Sequence, residues 1–209
     1  AIVAKAAKCD LQVVASTTLG FGKFTAMSMD DAHIYAVGYA SHAVYGPGTW
    51  LEGMEKTTGL VAKVRKSDLA VVAVQSYETG SHNELRGVVH DDTHVYAVGL
   101  DSNEVDFLVE SALVMKFDKA DLSLVAAQHY GGHYGGDAFS EGTPYTLWVE
   151  DVAQDSDSLY VSGGLWGEGQ FPFVLKVDKA SLGLVEAVQL SEGDDFRGIT
   201  FADGHVYAV

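Results

Sequence analysis

Asp92-Thr93-His94-Val95-Tyr96-Ala97-Val98-Gly99 decides the fold, because the chain carries this stretch more than once. Asp31-Ala32-His33-Ile34-Tyr35-Ala36-Val37-Gly38 stands before it. Asp157-Ser158-Leu159-Tyr160-Val161-Ser162-Gly163 is a looser copy, and Asp203-Gly204-His205-Val206-Tyr207-Ala208-Val209 is the fourth. An Asp-led turn followed by a β-branched, Tyr-centred run reads as a strand leaving a tight turn. A short apolar run precedes each copy: Ala26–Met29, Gly87–His90, Asp151–Gln154 and Gly198–Phe201.

A second signature alternates with the first. An apolar run ends in Lys, a second Lys follows three residues later, and a Leu three residues after that. The members are Lys5/Lys8/Leu11, Lys63/Lys66/Leu69, Lys116/Lys119/Leu122 and Lys176/Lys179/Leu182, each followed by another apolar run. Successive first lysines lie 58, 53 and 60 positions apart (5 to 63, 63 to 116, 116 to 176). No segment sustains a helical period. Each repeat therefore supplies four strands of an antiparallel meander, which predicts an all-β chain and, at this period, the blades of a β-propeller. Burial of both sheet faces explains runs that are continuously apolar rather than alternating.

With the four runs of a repeat lettered A to D in chain order from the run before the Tyr strand, the Tyr strand is B and the Lys strand is C. The chain then divides into about 1–19 (CD), 20–78, 79–130 and 131–191 (ABCD each) and 192–209 (AB), all within one domain. Pairing of the initial CD with the terminal AB gives four blades in a closed ring. The alternative is a piece of a larger propeller, consistent with a chain that starts Ala1-Ile2-Val3 and reads as processed or partial.

The order of these elements resembles the bacterial-type β-propeller repeat family called SBBP, over the whole chain. Val, Ala or Glu occupies the outermost-strand position where that family often has Trp. The resemblance implies a propeller and an extracellular or cell-surface setting. It implies no particular activity and carries no catalytic motif.

The repeat also shows where the chain was expanded. Tyr to Lys spans 28 positions in the first copy (35 to 63), 20 in the second (96 to 116) and 16 in the third (160 to 176). The first B–C loop, about 39–58, is thus long, and so is the D–A segment at about 131–147. In an up-and-down blade these two loop classes leave from one end. Long loops on a rigid scaffold are where binding usually resides. The predicted ligand-binding face holds Tyr45, Trp50, His133, Tyr134, Asp137, Glu141, Tyr145, Trp148 and Trp166. Aromatic rings with a polar rim suit proteins or carbohydrates.

Composition narrows the partners. The formal charge is −16, from 29 acidic against 13 basic residues, which disfavours nucleic acid and anionic membranes. No run is long and apolar enough for a membrane helix. Cys9 is the sole cysteine and falls at a turn position held by Ser67, Ala120 and Ala180 elsewhere. His33, His94 and His205 occupy equivalent turns on separate blades, too far apart for one metal ion. Lys5, Lys63 and Lys116 recur with Asp10, Asp68 and Asp121 five residues on, which reads as a hairpin pair across the C–D turn. Gly131–Asp137 lacks the strand–loop–helix context of a phosphate loop. Asp137, Glu141, Glu150 and Asp151 offer oxygen ligands for Ca²⁺, without EF-hand spacing. The reading is a non-catalytic binding module. The alternatives are a lyase or hydrolase at the channel mouth, using His133, Asp137 and Glu141 near Arg86 or Arg197, and a building block that assembles with further copies or chains.

Overall fold

The structure is a computed structural model that describes residues 1–10, 12–20, 22–44, 55–78, 82–102, 110–131, 146–166 and 170–209. Its elements are all strands; no helix occurs among the described residues. β1 (Ile2–Ala6) and β2 (Val13–Thr18) form a hairpin. β3 (Lys23–Met29), β4 (His33–Val44), β5 (Glu55–Arg65) and β6 (Val71–Tyr77) form the first four-stranded meander. β7 (His82–His90), β8 (His94–Ser102), β9 (Glu110–Asp118) and β10 (Leu124–Tyr130) form the second. β11 (Thr146–Gln154), β12 (Ser158–Trp166), β13 (Gln170–Asp178) and β14 (Leu184–Gln189) form the third. β15 (Ile199–Ala202) and β16 (His205–Ala208) close the series as a second hairpin. A parallel bridge between Thr57 and His82 joins the first two meanders.

The repeat fixes the register. Tyr35 lies opposite Lys63, Tyr96 opposite Lys116 and Tyr160 opposite Lys176. Three of the four Tyr strands are entered through one device. Asp91 Oδ1 accepts the backbone N–H groups of Thr93 and His94, and its Oδ2 accepts the Tyr96 hydroxyl at 2.9 Å. Asp30 with Tyr35, and Asp155 with Tyr160, repeat it. The capping carboxylate is thus the residue before the Asp31 and Asp92 of the sequence signature. In the fourth copy Ala202 takes this place, and Tyr207 is 52% exposed.

The signature leucines have an unusual backbone. Leu69, Leu122 and Leu182 sit at φ of 58°, 61° and 55°, a left-handed conformation that costs about 1–2 kcal/mol outside glycine. Their N–H groups close the turn onto the carbonyls of Arg65, Asp118 and Asp178. All three side chains are buried, and burial of a leucine returns about 1.5–3 kcal/mol. The turn needs that conformation and the core needs that side chain, so Leu stands where Gly or Asn would otherwise be favoured.

The core lies between successive sheets. Tyr35, Val37 and Val61 pack with Val95, Leu113 and Met115. Tyr96, Val98 and Val114 pack with Val149, Val161 and Leu175. The middle sheet is covered on both faces, hence its unbroken apolar runs.

One expectation is corrected. The repeated lysines do not pair with Asp across their own turn. Lys63 Nζ donates to the carbonyls of Lys119 and Ala120 in the next meander, and Lys116 Nζ to Lys179 O in the one after. Asp68 pairs instead with Arg65, and Asp121 accepts the Ser123 N–H. The physical reason is the orphan turn carbonyls of the neighbouring sheet, which need donors that only a long side chain reaches. β1 pairs only with β2 and β16 only with β15, so the ladder expected between Ile2–Ala6 and Val206–Val209 is absent. Each hairpin packs instead on its sequence neighbour. Val3 buries against Ile34, Val64 and Leu69, and Phe201 stacks on Tyr160 with ring centroids 5.7 Å apart.

Candidate binding site

The first strand of every four-stranded meander carries an irregularity at one position. The register slips between Phe24 and Ala26, between Leu85 and Gly87, and between Val149 and Asp151. The skipped residues are Thr25, Arg86 and Glu150. At the equivalent place before β15, the N–H groups of Arg197 and Gly198 share the Val209 carbonyl. A β-bulge re-aims the side chain of its extra residue, and such bulges concentrate near functional sites. The same bulges explain the glycine of the Tyr signature. Gly38, Gly99 and Gly163 lie opposite the residue before each bulge, where a Cβ would meet the carbonyl of Lys23, Glu84 or Trp148.

Arg86 and Glu150 meet across adjacent sheets. The Arg86 guanidinium lies 4.2 Å from the Trp148 ring centroid. One terminal nitrogen is 3.1 Å from Glu84 Oε2 and the other 3.4 Å from both Glu150 oxygens. Trp148 Nε1 donates to Glu150 Oε1 at 2.5 Å. His82 Nε2 is 3.3 Å from Glu84 Oε1, and its Nδ1 is 3.1 Å from Thr57 Oγ1. Burial raises the Glu84 pKa, but the His82 and Arg86 hydrogen bonds and charges outweigh it and leave the carboxyl below its ordinary value. Lys23, Phe24, Thr25, Tyr39, Glu84, Arg86 and Glu150 line a hollow of about 280 Å³ beside this network.

Glu110 begins β9 in the same row as His82, through the pairs His82–Ser102 and Ser102–Glu110. It is only 8% exposed, and its Oε2 is buried without a hydrogen-bond partner. Burial pushes its pKa up to about 7, against the charges of His82 and Arg86 and with that of Glu84. Another polar set lies nearby in the second sheet. Asp101 is fully buried; its carboxylate accepts from Asn83 Nδ2 at 2.5 Å and lies 2.7 Å from His129 Nε2.

All of these residues sit at one end of the sheets. It is the end from which the B–C and D–A segments leave, since Ser102, Glu110, Tyr130 and Thr146 are the strand termini there. The predicted common end for the long loops is therefore the end where the polar network lies. Of the predicted face, Trp148 is in the network, on β11 just beyond the long D–A segment, with its ring taken by Arg86. Trp166 ends β12. Tyr45, Trp50, His133, Tyr134, Asp137, Glu141 and Tyr145 lie outside the described residues. Of the carboxylates considered for Ca²⁺, Glu150 is held by Trp148 and Arg86, and Asp151 accepts the N–H groups of Val152 and Ile199. Among the described residues no group of three His, Cys, Asp or Glu side chains is placed to hold a metal ion.

Sequence reasoning missed His82, Glu84, Asp101, Glu110 and His129. Aligned columns of the repeat carry the signal. Where the second copy has Asp101, the others have Ala40 and Leu165; for Glu110, Thr57 and Gln170; for His129, Ser76 and Gln189. One end of one repeat has gained ionisable groups that its siblings lack. The sequence matches no protein-family model and no curated protein.

Proposed function

We propose that the chain is a β-propeller of the kind its repeat resembles, and that it serves as a non-catalytic binding module for a protein or glycan. The ligand is taken at the end where the long loops leave. The observation that supports this most is the Arg86–Glu150–Trp148 network, built from bulge positions at that end and flanked by an open hollow. The rest of the repeat is spent on turns and sheet-to-sheet contacts. An extracellular or surface setting follows from the resemblance alone.

Register gives the propeller reading a direct test. If the two terminal hairpins complete one blade, Tyr207 lies opposite Lys5 and Ala208 opposite Ala4, as Tyr35 lies opposite Lys63 and Ala36 opposite Ala62. Ile2 and Tyr207 are 66% and 52% exposed in the present arrangement, whereas Leu113 and Tyr96 at the same positions are buried. An Ala4→Cys/Ala208→Cys/Cys9→Ser variant should form an intrachain disulfide and stay monomeric. Interchain disulfides alone would point to assembly between copies, and absence of any would remove this register.

For binding, the immobilised protein is screened against defined oligosaccharides and a peptide library. Any ligand found should weaken at least about tenfold in Trp50→Ala/Trp166→Ala with circular dichroism unchanged. An unaffected ligand would move the site elsewhere. A hydrolase or lyase at the same mouth is the second reading. It is favoured by Glu110 and Glu84, two nearby carboxyls displaced in opposite directions. Turnover of a screened oligosaccharide that is lost in Glu84→Gln would establish it.

A further inference from the structure

We infer that Glu110 and Glu84 form the receiving site for a protonated lysine side chain of a partner protein, entering at the long-loop end between the second and third sheets. This rests on the reading of that end as the binding end.

Glu110 stands apart from the other acids there. Glu84 is held by His82 and Arg86, Glu150 by Trp148 and Arg86, and Asp101 by Asn83 and His129. Glu110 Oε2 is buried and lacks a partner, a position that costs about 1–3 kcal/mol and is retained for some return. Its siblings Thr57 and Gln170 are neutral, so the fold itself does not require an acid here.

The missing partner is a donor, and its charge follows from the surroundings. The groups that act on Glu110 are His82, Arg86 and Glu84, all from β7, with Glu150 of β11 behind Arg86. Arg86 is already shared between Glu84 and Glu150. Ionisation of Glu110 would add a third carboxylate to one arginine, and one further cation restores the balance. The molecule demonstrates the arrangement internally, since Arg86 is itself a cation lodged between two carboxylates over an indole ring. The overall charge of −16 steers cationic segments inward and repels acidic ones. A buried carboxyl at a strand end is reached best by a compact charge on a slender stem, which is lysine rather than the broad guanidinium.

Binding is then coupled to a proton. Free Glu110 holds its proton up to about pH 7. An arriving ammonium favours the carboxylate, and the proton leaves to solvent. Affinity rises with pH up to neutrality, with close to one proton released per lysine bound a unit or so below that pH and about half a proton at it.

The test is calorimetric titration with acetyl-trilysine amide at pH 5.5, 7.0 and 8.5, in buffers of different ionisation enthalpy. Affinity should be at least about tenfold higher at pH 8.5 than at 5.5. Glu110→Gln should abolish that difference and the proton release, and Glu186→Gln, an exposed acid on β14, should keep both. Carboxyl NMR of the unmutated protein should show the Glu110 midpoint falling when peptide is added. Equal binding by Glu110→Gln, an unmoved Glu110 midpoint, or no binding at any pH overturns the inference. A neutral glycan or acidic peptide that binds this end without pH dependence also overturns it, while leaving the binding face intact.

Discussion

Arg86 carries its guanidinium 4.2 Å from the Trp148 ring, and it does so from the one position of β7 that the ladder to β8 skips. The bulge that aims the arginine also brings the Glu84 carbonyl over Gly99. Signature glycine and network arginine are two consequences of one backbone irregularity.

Arg86→Met should therefore destabilise the protein by about 2–4 kcal/mol, since Glu84 and Glu150 lose a shared, half-buried cation. Arg86→Lys should recover only part of this, because a point charge cannot span both carboxylates and stack on the indole. In a double-mutant cycle with Glu150→Gln, the coupling read from urea denaturation should be about 1–3 kcal/mol. A coupling near zero would mean that the pair is incidental.

Gly99→Ala should cost more than about 3 kcal/mol or prevent folding, because the added Cβ meets backbone that cannot move without undoing the bulge. Gly204→Ala is the contrast. Its φ is 73° and nothing lies within 4 Å, so only backbone strain of about 1 kcal/mol applies. Thermal melts of the two variants separate close approach from strain.

These cases show what a linear reading reaches. Tyr96, Lys116, Leu122 and Gly99 recur, so period and strand order were visible, and the all-β class with them. Recurrence does not say what a residue touches. Lys63 looked like half of a hairpin pair, yet its ammonium serves turn carbonyls 56 and 57 residues later. Trp148 stands just beyond the long D–A segment in the sequence, but the cation over its ring comes from β7 and shows only through sheet-to-sheet packing. Asp30 and Asp91 were hidden beside the more conspicuous Asp31 and Asp92. The cluster around Glu110 was legible only by comparing columns of the repeat, since His82, Glu84 and Glu110 become neighbours through strand pairing.

Lys63→Met should destabilise by about 1–3 kcal/mol, because the carbonyls of Lys119 and Ala120 lose their donor at a sheet-to-sheet contact. Lys5→Met, at the equivalent but exposed position of β1, should change stability by less than about 0.5 kcal/mol. Equal effects would show that the contact to the next sheet carries no stability.

Acid should unfold the protein through its turn aspartates. Burial alone would raise the Asp91 pKa, but the N–H groups of Thr93 and His94 and the Tyr96 hydroxyl bring it down to about 2. Asp30 and Asp155 are lowered for the same reasons. A carboxyl with a depressed folded pKa contributes stability that is complete above the unfolded value near 4 and is lost as pH falls toward 2. Urea midpoints should drop steeply across that window, and the drop should shrink in Asp91→Asn.

Glu110 sets the opposite slope at higher pH. Its folded pKa of about 7 lies above the unfolded value near 4.5, so the folded state holds the proton more tightly. The contribution is full below pH 4.5 and is lost as pH rises through 7, which leaves a burial cost of a few kcal/mol at most above that. Glu110→Gln removes the ionisation while keeping the shape. It should match the unmutated protein near pH 4 and be the more stable of the two by about 1–3 kcal/mol at pH 8.5. The advantage should build as pH rises from about 4.5 and level off just above 7 in urea midpoints recorded across the range. A constant difference at every pH would mean that the carboxyl stays ionised in the fold, and that its buried oxygen has found a donor.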